Sequence, residues 1–280
     1  MEKIVQFNDV KIMTESFGDP KNPCLLLIMG SASSLLWWDK ALCQMFVAKG
    51  FFVIRYDNRD TGLSTCYPVG KPAYDFETMS DDAMRILDAY QIDKAVFFGM
   101  SMGAMLAQMI VHRHPERVKA LVLYAGMYFG EGTEALPVFS DEVKAFFDHY
   151  GDYQPEGYRA QVDYAFKQWQ VTHQSERIYD LNEIYVMIEK DVSRAIDYNA
   201  KLNHAFAKVS TDVLSKPEAI QTPTLIIHGT VDNVIPIIHG EYLAKEIPYA
   251  RFVPLEGAGH ELHPDDYAVI IEAVKQLLIK

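Results

Sequence analysis

Residues 95–114 read AVFFGMSMGAMLAQMIVHRH, and the fold is decided there. An apolar run, Ala95 to Phe98, halts at Gly99-Met100-Ser101-Met102-Gly103, and a long apolar-periodic segment follows at once. The pattern predicts a buried strand, a sharp turn and a helix, with Ser101 at the apex. Glycines two places before and two after the serine leave room for the chain to fold back on itself. Such a strained turn, a nucleophile elbow, lifts the serine hydroxyl above the sheet edge. The next amide, that of Met102, falls at a helix N-terminus, where unbonded N–H groups favour negative charge. One turn therefore offers a nucleophile and half of an oxyanion hole.

The flanking sequence supplies a setting for that turn. Residues 2–7 and 10–16 alternate polar and apolar positions around Asn8-Asp9 and predict an antiparallel hairpin. Residues 24–29, 51–56 and 120–125 are short apolar runs of the kind buried on both faces of a parallel sheet. Helices are predicted between them, from about Leu36 to Ala48 and from about Met79 to Tyr90, the second capped by Ser80. The alternation stops after Gly126. Residues 127–218 contain no comparable strand signal and many aromatics, and predict a set of helices. The pattern resumes with a strand at Thr224–Gly229, a helix near His239–Glu246, a strand at Arg251–Leu255 and a helix from Pro264 to Ile279. The expected organisation is an α/β core of residues 1–126 and 219–280, with a mostly parallel sheet of about eight strands flanked by helices. Residues 127–218 form an inserted helical cap.

A serine hydroxyl needs a base to remove its proton and an acid to orient that base. In an open α/β sheet these partners belong on loops after later strands, at the carboxyl edge. Asp232, in HGTVDNVIP (228–236), and His260, in EGAGH (256–260), each directly follow a predicted strand and stand in the order serine, acid, histidine. The loop after strand 24–29, Met29-Gly30-Ser31-Ala32, is small and flexible, and makes the Ser31 amide the candidate partner of Met102 in an oxyanion hole. His263 and Asp212 are weaker alternatives for base and acid. His228, at a strand end, reads as a packed or hydrogen-bonded residue.

Other residues have plainer readings. Asp57 and Arg59 are expected to form an ion pair bracing neighbouring loops. His112 and His114 are two apart, do not share a helix face, and so do not suggest a metal pair. At least one of Trp37 and Trp38 belongs to the core, and the other is free to line an acyl pocket. Three cysteines, Cys24, Cys43 and Cys66, have no metal-ligand spacing and read as small apolar residues in a reducing compartment. A net charge of −12 argues against nucleic acid and anionic membranes as partners. Neither a signal-peptide core nor a membrane-length apolar run occurs, so the expected location is cytoplasmic.

On the motifs GMSMG (99–103), HGTVDNVIP and GAGH (257–260), the chain resembles the α/β-hydrolase family along nearly its whole length. LLLIMGSAS (25–33) and VIRYDNRDTGLST (53–65) make it similar to the subgroup typified by aclacinomycin methylesterase. The resemblance implies a triad of Ser101, Asp232 and His260, with acyl-enzyme hydrolysis of a small-molecule carboxylic ester and no metal or organic cofactor. Many members carry His-Gly in the oxyanion loop where this chain has Met29-Gly30. A serine at the elbow argues against dehalogenase and epoxide-hydrolase chemistry, which places an aspartate there. Lactones, thioesters, C–C bonds and perhydrolysis use the same triad, and a ligand sensor with slow turnover is the reading from another class. The aromatic content of the cap favours an apolar or aromatic substrate.

Overall fold

The computed structural model describes residues 1–151 and 153–278. Strands β1 (Glu2–Phe7) and β2 (Val10–Phe17) form the expected hairpin, with Asn8 taking a positive φ of 50° in the turn. Then follow β3 (Cys24–Ile28), α1 (Lys40–Ala48), β4 (Phe52–Tyr56), α2 (Phe76–Ala89), β5 (Ala95–Met100), α3 (Met102–Arg113) and β6 (Val118–Tyr124). Between β6 and the next strand come α4 (Asp141–Tyr150), α5 (Tyr158–Thr172), α6 (Leu181–Arg194) and the single turn α7 (Thr211–Leu214), with short 3₁₀ segments. The chain closes with β7 (Thr224–Gly229), α8 (Ile238–Glu246), β8 (Arg251–Leu255) and α9 (Tyr267–Leu277).

The eight strands make one sheet in the order β1-β2-β4-β3-β5-β6-β7-β8. Pairing is antiparallel for β1–β2 and β2–β4 and parallel from β4 onward. Continuous apolar runs are buried on both faces, as parallel strands require. In β3, Leu26 and Ile28 face the core that holds α2, α3 and α8, whereas Leu25 and Leu27 face the core that holds α1 and α9. A third, smaller cluster lies within the helical segment and joins Val162, Trp169, Ile188 and Val192. Tyr128, Ala207 and Leu214 of that same segment pack into the sheet's own core instead.

Three local expectations need correction. The helix predicted from Leu36 to Ala48 is divided: Leu35–Trp37 is a 3₁₀ turn, and the side chain of Asp39 accepts from the Ala41 amide to start α1. Buried Trp38 sits at the break with extended backbone, φ −82° and ψ 92°, which interrupts the helix. Ser80 does not cap α2; Asp75 does, by accepting from the Thr78 amide at 2.8 Å, and Ser80 lies buried one turn inside. The last helix begins as a 3₁₀ turn, Pro264–Asp266, and Ile279 lies outside the described residues. No helix among the described residues is long and apolar enough to cross a membrane.

Candidate active site

Ser101, between β5 and α3, takes φ 54° and ψ −119°, a conformation that costs a non-glycine residue about 1–3 kcal/mol. The burial of Phe97 and Phe98 just before it, worth roughly 1.5–3 kcal/mol each, offsets that strain. The flanking glycines are required by contact. A Cβ on Gly99 would stand 2.0 Å from the Gly103 carbonyl oxygen, and one on Gly103 would stand 2.0 Å from that of Ile28. Backbones of β5, α3 and β3 thus converge at one point, and α3 starts directly behind the serine. The carbonyl of Ser101 accepts from the Ala104 and Met105 amides, which begins that helix.

The end of β3 brings the second expected element to the same place. A Cβ built on Gly30 would lie 3.2 Å from Ser101 Cβ and 3.8 Å from its hydroxyl oxygen, so the Gly30 backbone forms a wall of the serine's surroundings. Beyond it Ala32 takes a positive φ of 59°, and its amide donates to His204 Nδ1 at 2.9 Å. The Ala32 amide is therefore occupied. Ser31, exposed beside it, and Met102, buried at the start of α3, are the two positions expected to supply free amides.

Asp232 and His260 come together from the loops after β7 and β8. His260 Nδ1 is 2.8 Å from Asp232 Oδ2, and Asp232 Oδ1 accepts from the Val234 and Ile235 amides at 2.9 and 2.8 Å. Burial alone would raise the Asp232 carboxyl, but the charges and hydrogen bonds of His260 and His228 hold it below the usual range. With Nδ1–H directed at a carboxylate, the lone pair of His260 is at Nε2. The loops are fastened to each other: the Val231 amide donates to Ala258 O, and the Gly257 amide to Thr230 Oγ1. Among the described residues no hydrogen bond joins Ser101 to His260, a contact that in this chemistry often tightens only around substrate.

The alternatives fall away. Asp212 is exposed on α7 and makes no contact with His260. His263 caps the 3₁₀ turn by accepting from the Asp265 amide, and its other nitrogen donates to Ile178 O; the side chain is buried. His228 Nε2 donates to Ile235 O at 2.7 Å. The expected Asp57–Arg59 pair does not form. Asp57 is saturated by the Leu35 and Leu63 amides and by Arg194, at 2.8, 2.9 and 2.7 Å. Arg59 turns instead to α2 and grips Asp82 with two bonds of 2.7 and 2.8 Å. His114 pairs with Asp81 at the end of α3, and His112 is a separate, partly buried group.

Several residues of the site region come from residues 127–218 and carry no motif. Asp191 on α6 accepts from Ser34 Oγ and from Trp37 Nε1, holding the segment after the Gly30 loop. His173 follows α5, stacks on Trp169 with ring centroids 4.8 Å apart, and is pushed down to about 3 by burial and by His260. His204 is pushed down to about 4 by burial. Their only sequence signal is that they are histidines in an aromatic helical block.

A strand–serine–helix elbow at the carboxyl edge of a mostly parallel sheet, with an aspartate–histidine pair on the two following loops, defines the class: the chain belongs to the α/β-hydrolase fold family, whose model matches residues 23–267. It is 29% identical over 277 residues to rhodomycin D methylesterase DauP of Streptomyces sp. (strain C5), covering 93% of this chain and 92% of that one. It is 26% identical over 270 residues to 3-oxoadipate enol-lactonase 2 of Acinetobacter baylyi, covering 95% and 93%. The bromoperoxidase structure from Bacillus anthracis superposes with a TM-score of 0.81 over the full length of both chains, at 20% identity, a likeness of fold alone.

Proposed function

We propose that this protein hydrolyses a small-molecule carboxylic ester through an acyl-enzyme. Ser101 Oγ attacks the ester carbonyl as His260 Nε2 takes its proton, and Asp232 orients the imidazole and stabilises its charge. The oxyanion is held by the Ser31 and Met102 amides, interactions of a kind worth ~2.7–4 kcal/mol each in the transition state. The imidazolium returns its proton to the leaving alcohol. Water then attacks the acyl-serine with His260 again as base, releasing the acid and restoring Ser101.

The observation that carries this reading is the 2.8 Å contact of a buried carboxylate with His260, on loops that share an edge with the strained Ser101 turn. The methylesterase and enol-lactonase relatives agree with an ester or lactone carbonyl as the target. Within it, residues 127–218 act as a cap over the core of residues 1–126 and 219–280, and their aromatic side chains favour an apolar or aromatic substrate. The unpaired Cys24, Cys43 and Cys66 suit a cytoplasmic enzyme, and its acidic charge suits neither nucleic acid nor membrane as partner.

The test is hydrolysis of p-nitrophenyl acetate together with labelling by a fluorophosphonate. The expected result is labelling at Ser101, and loss of both turnover and labelling in Ser101→Ala with an unchanged melting temperature. Full activity in the alanine variant would overturn the mechanism.

A further inference from the structure

The loop that carries Asp232 is bonded to the helical segment between β6 and β7. The Phe139 amide donates to Val234 O at 2.9 Å, and the Ser140 amide, at the cap of α4, to Asn233 O at 2.8 Å. Those two carbonyls belong to the peptide units whose N–H groups, on Ile235 and Val234, donate to Asp232 Oδ1. Each unit thus accepts from the start of α4 and donates to the carboxylate. A bond accepted at the carbonyl polarises the unit and strengthens the bond that its N–H gives. With Oδ1 held twice in this way, Oδ2 is left facing His260 Nδ1 at 2.8 Å. Phe139 has a positive φ of 63°, which a bulky residue keeps only where its surroundings hold it.

Asn233 adds a side-chain bond. Its Nδ2 donates at 2.8 Å to the carbonyl of Val171, in the last turn of α5, where carbonyls have no partner within the helix. Its Oδ1 is buried and has no partner among the described residues. An orphaned acceptor weakens the fold, so stability alone explains this amide side chain poorly. Beyond α5 the chain crosses to the other loop. The Glu176 amide donates to Gly257 O at 2.9 Å, and Arg177 Nη2 to Glu256 O at 2.8 Å. A Cβ on Gly259, next to His260, would stand 2.9 Å from Gln174 O, so the two backbones touch there. Residues 139–140 and 171–177 therefore hold both the acid loop and the base loop.

We propose that Asn233 is a positioning residue. By fastening the acid loop to the end of α5 it keeps Asp232 Oδ2 aimed at His260, which makes the helical segment part of the acid–base apparatus. The inference rests on the hydrolase reading above for its effect on rate only. A misaimed carboxylate leaves the binding of substrate alone and weakens support of the imidazolium in the transition state, so kcat should carry the loss.

The test uses Asn233→Leu and Asn233→Ala. Both delete the donor, and leucine keeps the bulk of the side chain while removing the orphaned acceptor. With p-nitrophenyl acetate kcat is expected to fall roughly 5–50-fold in both, with KM within about 2-fold of wild type. The proton between Asp232 and His260 resonates far downfield in the NMR spectrum and is read without substrate. It should give a single line in wild type, and shift or broaden in the two variants. An unchanged kcat, or a resonance the same in all three proteins, would overturn the proposal. So would a rate lost only in proportion to the folded fraction, measured by circular dichroism. If wild type turns over no ester while the resonance still broadens in Asn233→Leu, the positioning stands and the hydrolase reading falls. Ester turnover at equal rates with an unmoved resonance would do the reverse.

Discussion

The Ala32 amide donates to His204 Nδ1 at 2.9 Å, and the opposite nitrogen of the same ring, Nε2, donates to the Arg59 carbonyl at 2.8 Å. One buried, neutral imidazole from the segment between β6 and β7 thus ties the loop after β3 to the loop after β4. It does so at a residue with positive φ, one place beyond Ser31, whose amide is proposed above to hold the oxyanion.

His204→Leu should remove that tie and leave a buried N–H and carbonyl unpaired, at about 1–3 kcal/mol each. A displaced oxyanion donor should lower kcat roughly 10–100-fold with KM little changed. His204→Gln, which offers an acceptor and a donor on one side chain, should recover much of the loss. Steady-state kinetics of the three proteins decide it: equal kcat for the leucine variant and wild type would separate His204 from the reaction.

The glycines around Ser101 make opposite predictions. Gly103→Ala places a Cβ 2.0 Å from the Ile28 carbonyl oxygen, against backbone that cannot yield. It should destabilise by at least ~3 kcal/mol or prevent folding, the severe end of overpacking. Gly30→Ala meets Ser101 Cβ at 3.2 Å and needs no unusual φ. It should fold with a melting temperature close to wild type, yet reduce kcat/KM at least ~10-fold by crowding the attacking hydroxyl. Melting curves and ester kinetics on the two variants check both halves.

Much of this was legible because local chemistry determined it. The apolar runs at β3, β4, β5, β6 and β7 can be buried only in a sheet covered on both faces, and the strand-to-serine-to-helix turn at Ser101 has its glycines where backbones collide. Asp232 and His260 follow from position after a strand. Arg59 shows the limit: its partner Asp82 lies 23 residues on, on a helix face that only the packing of α2 brings near. Asp191, His173 and His204 lie 157, 72 and 103 residues from Ser34, Ser101 and Ser101 respectively in the chain. No periodicity or motif connects such separations; they are set by how α5, α6 and the 3₁₀ turn after them are laid over the sheet.

Stability should respond to acid through His204. Its folded value, pushed down to about 4 from 6.5 by burial, means that below pH 6.5 the unfolded chain binds a proton the native state refuses. Its contribution is thus complete above pH 6.5 and is lost progressively as pH falls toward 4, at up to about 1.4 kcal/mol per pH unit. His204→Gln should flatten that part of the melting-temperature profile between pH 6.5 and 4. A slope identical to wild type would assign the acid sensitivity elsewhere.

Lys201 makes the opposite prediction in alkali. Its ammonium is buried, donates to the Tyr198 hydroxyl at 2.6 Å, and is pushed down from 10.5 to about 8 by desolvation, which the charge of Asp191 only partly opposes. Below pH 8 both folded and unfolded chains carry the proton, and the fold bears the full cost of the buried charge. Between pH 8 and 10.5 the native state releases the proton while the unfolded chain keeps it, so that cost declines as pH rises. Lys201→Met, similar in volume and uncharged, should therefore raise stability by roughly 1–3 kcal/mol at pH 7, within the range seen when buried ionic groups are replaced by apolar ones. The gain should fade as the pH is taken from 8 to 10.5. Urea denaturation of wild type and variant at pH 7 and pH 10 measures both quantities, and a variant less stable than wild type at pH 7 would mean that the Lys201 charge holds Asp191 in place more than its desolvation costs.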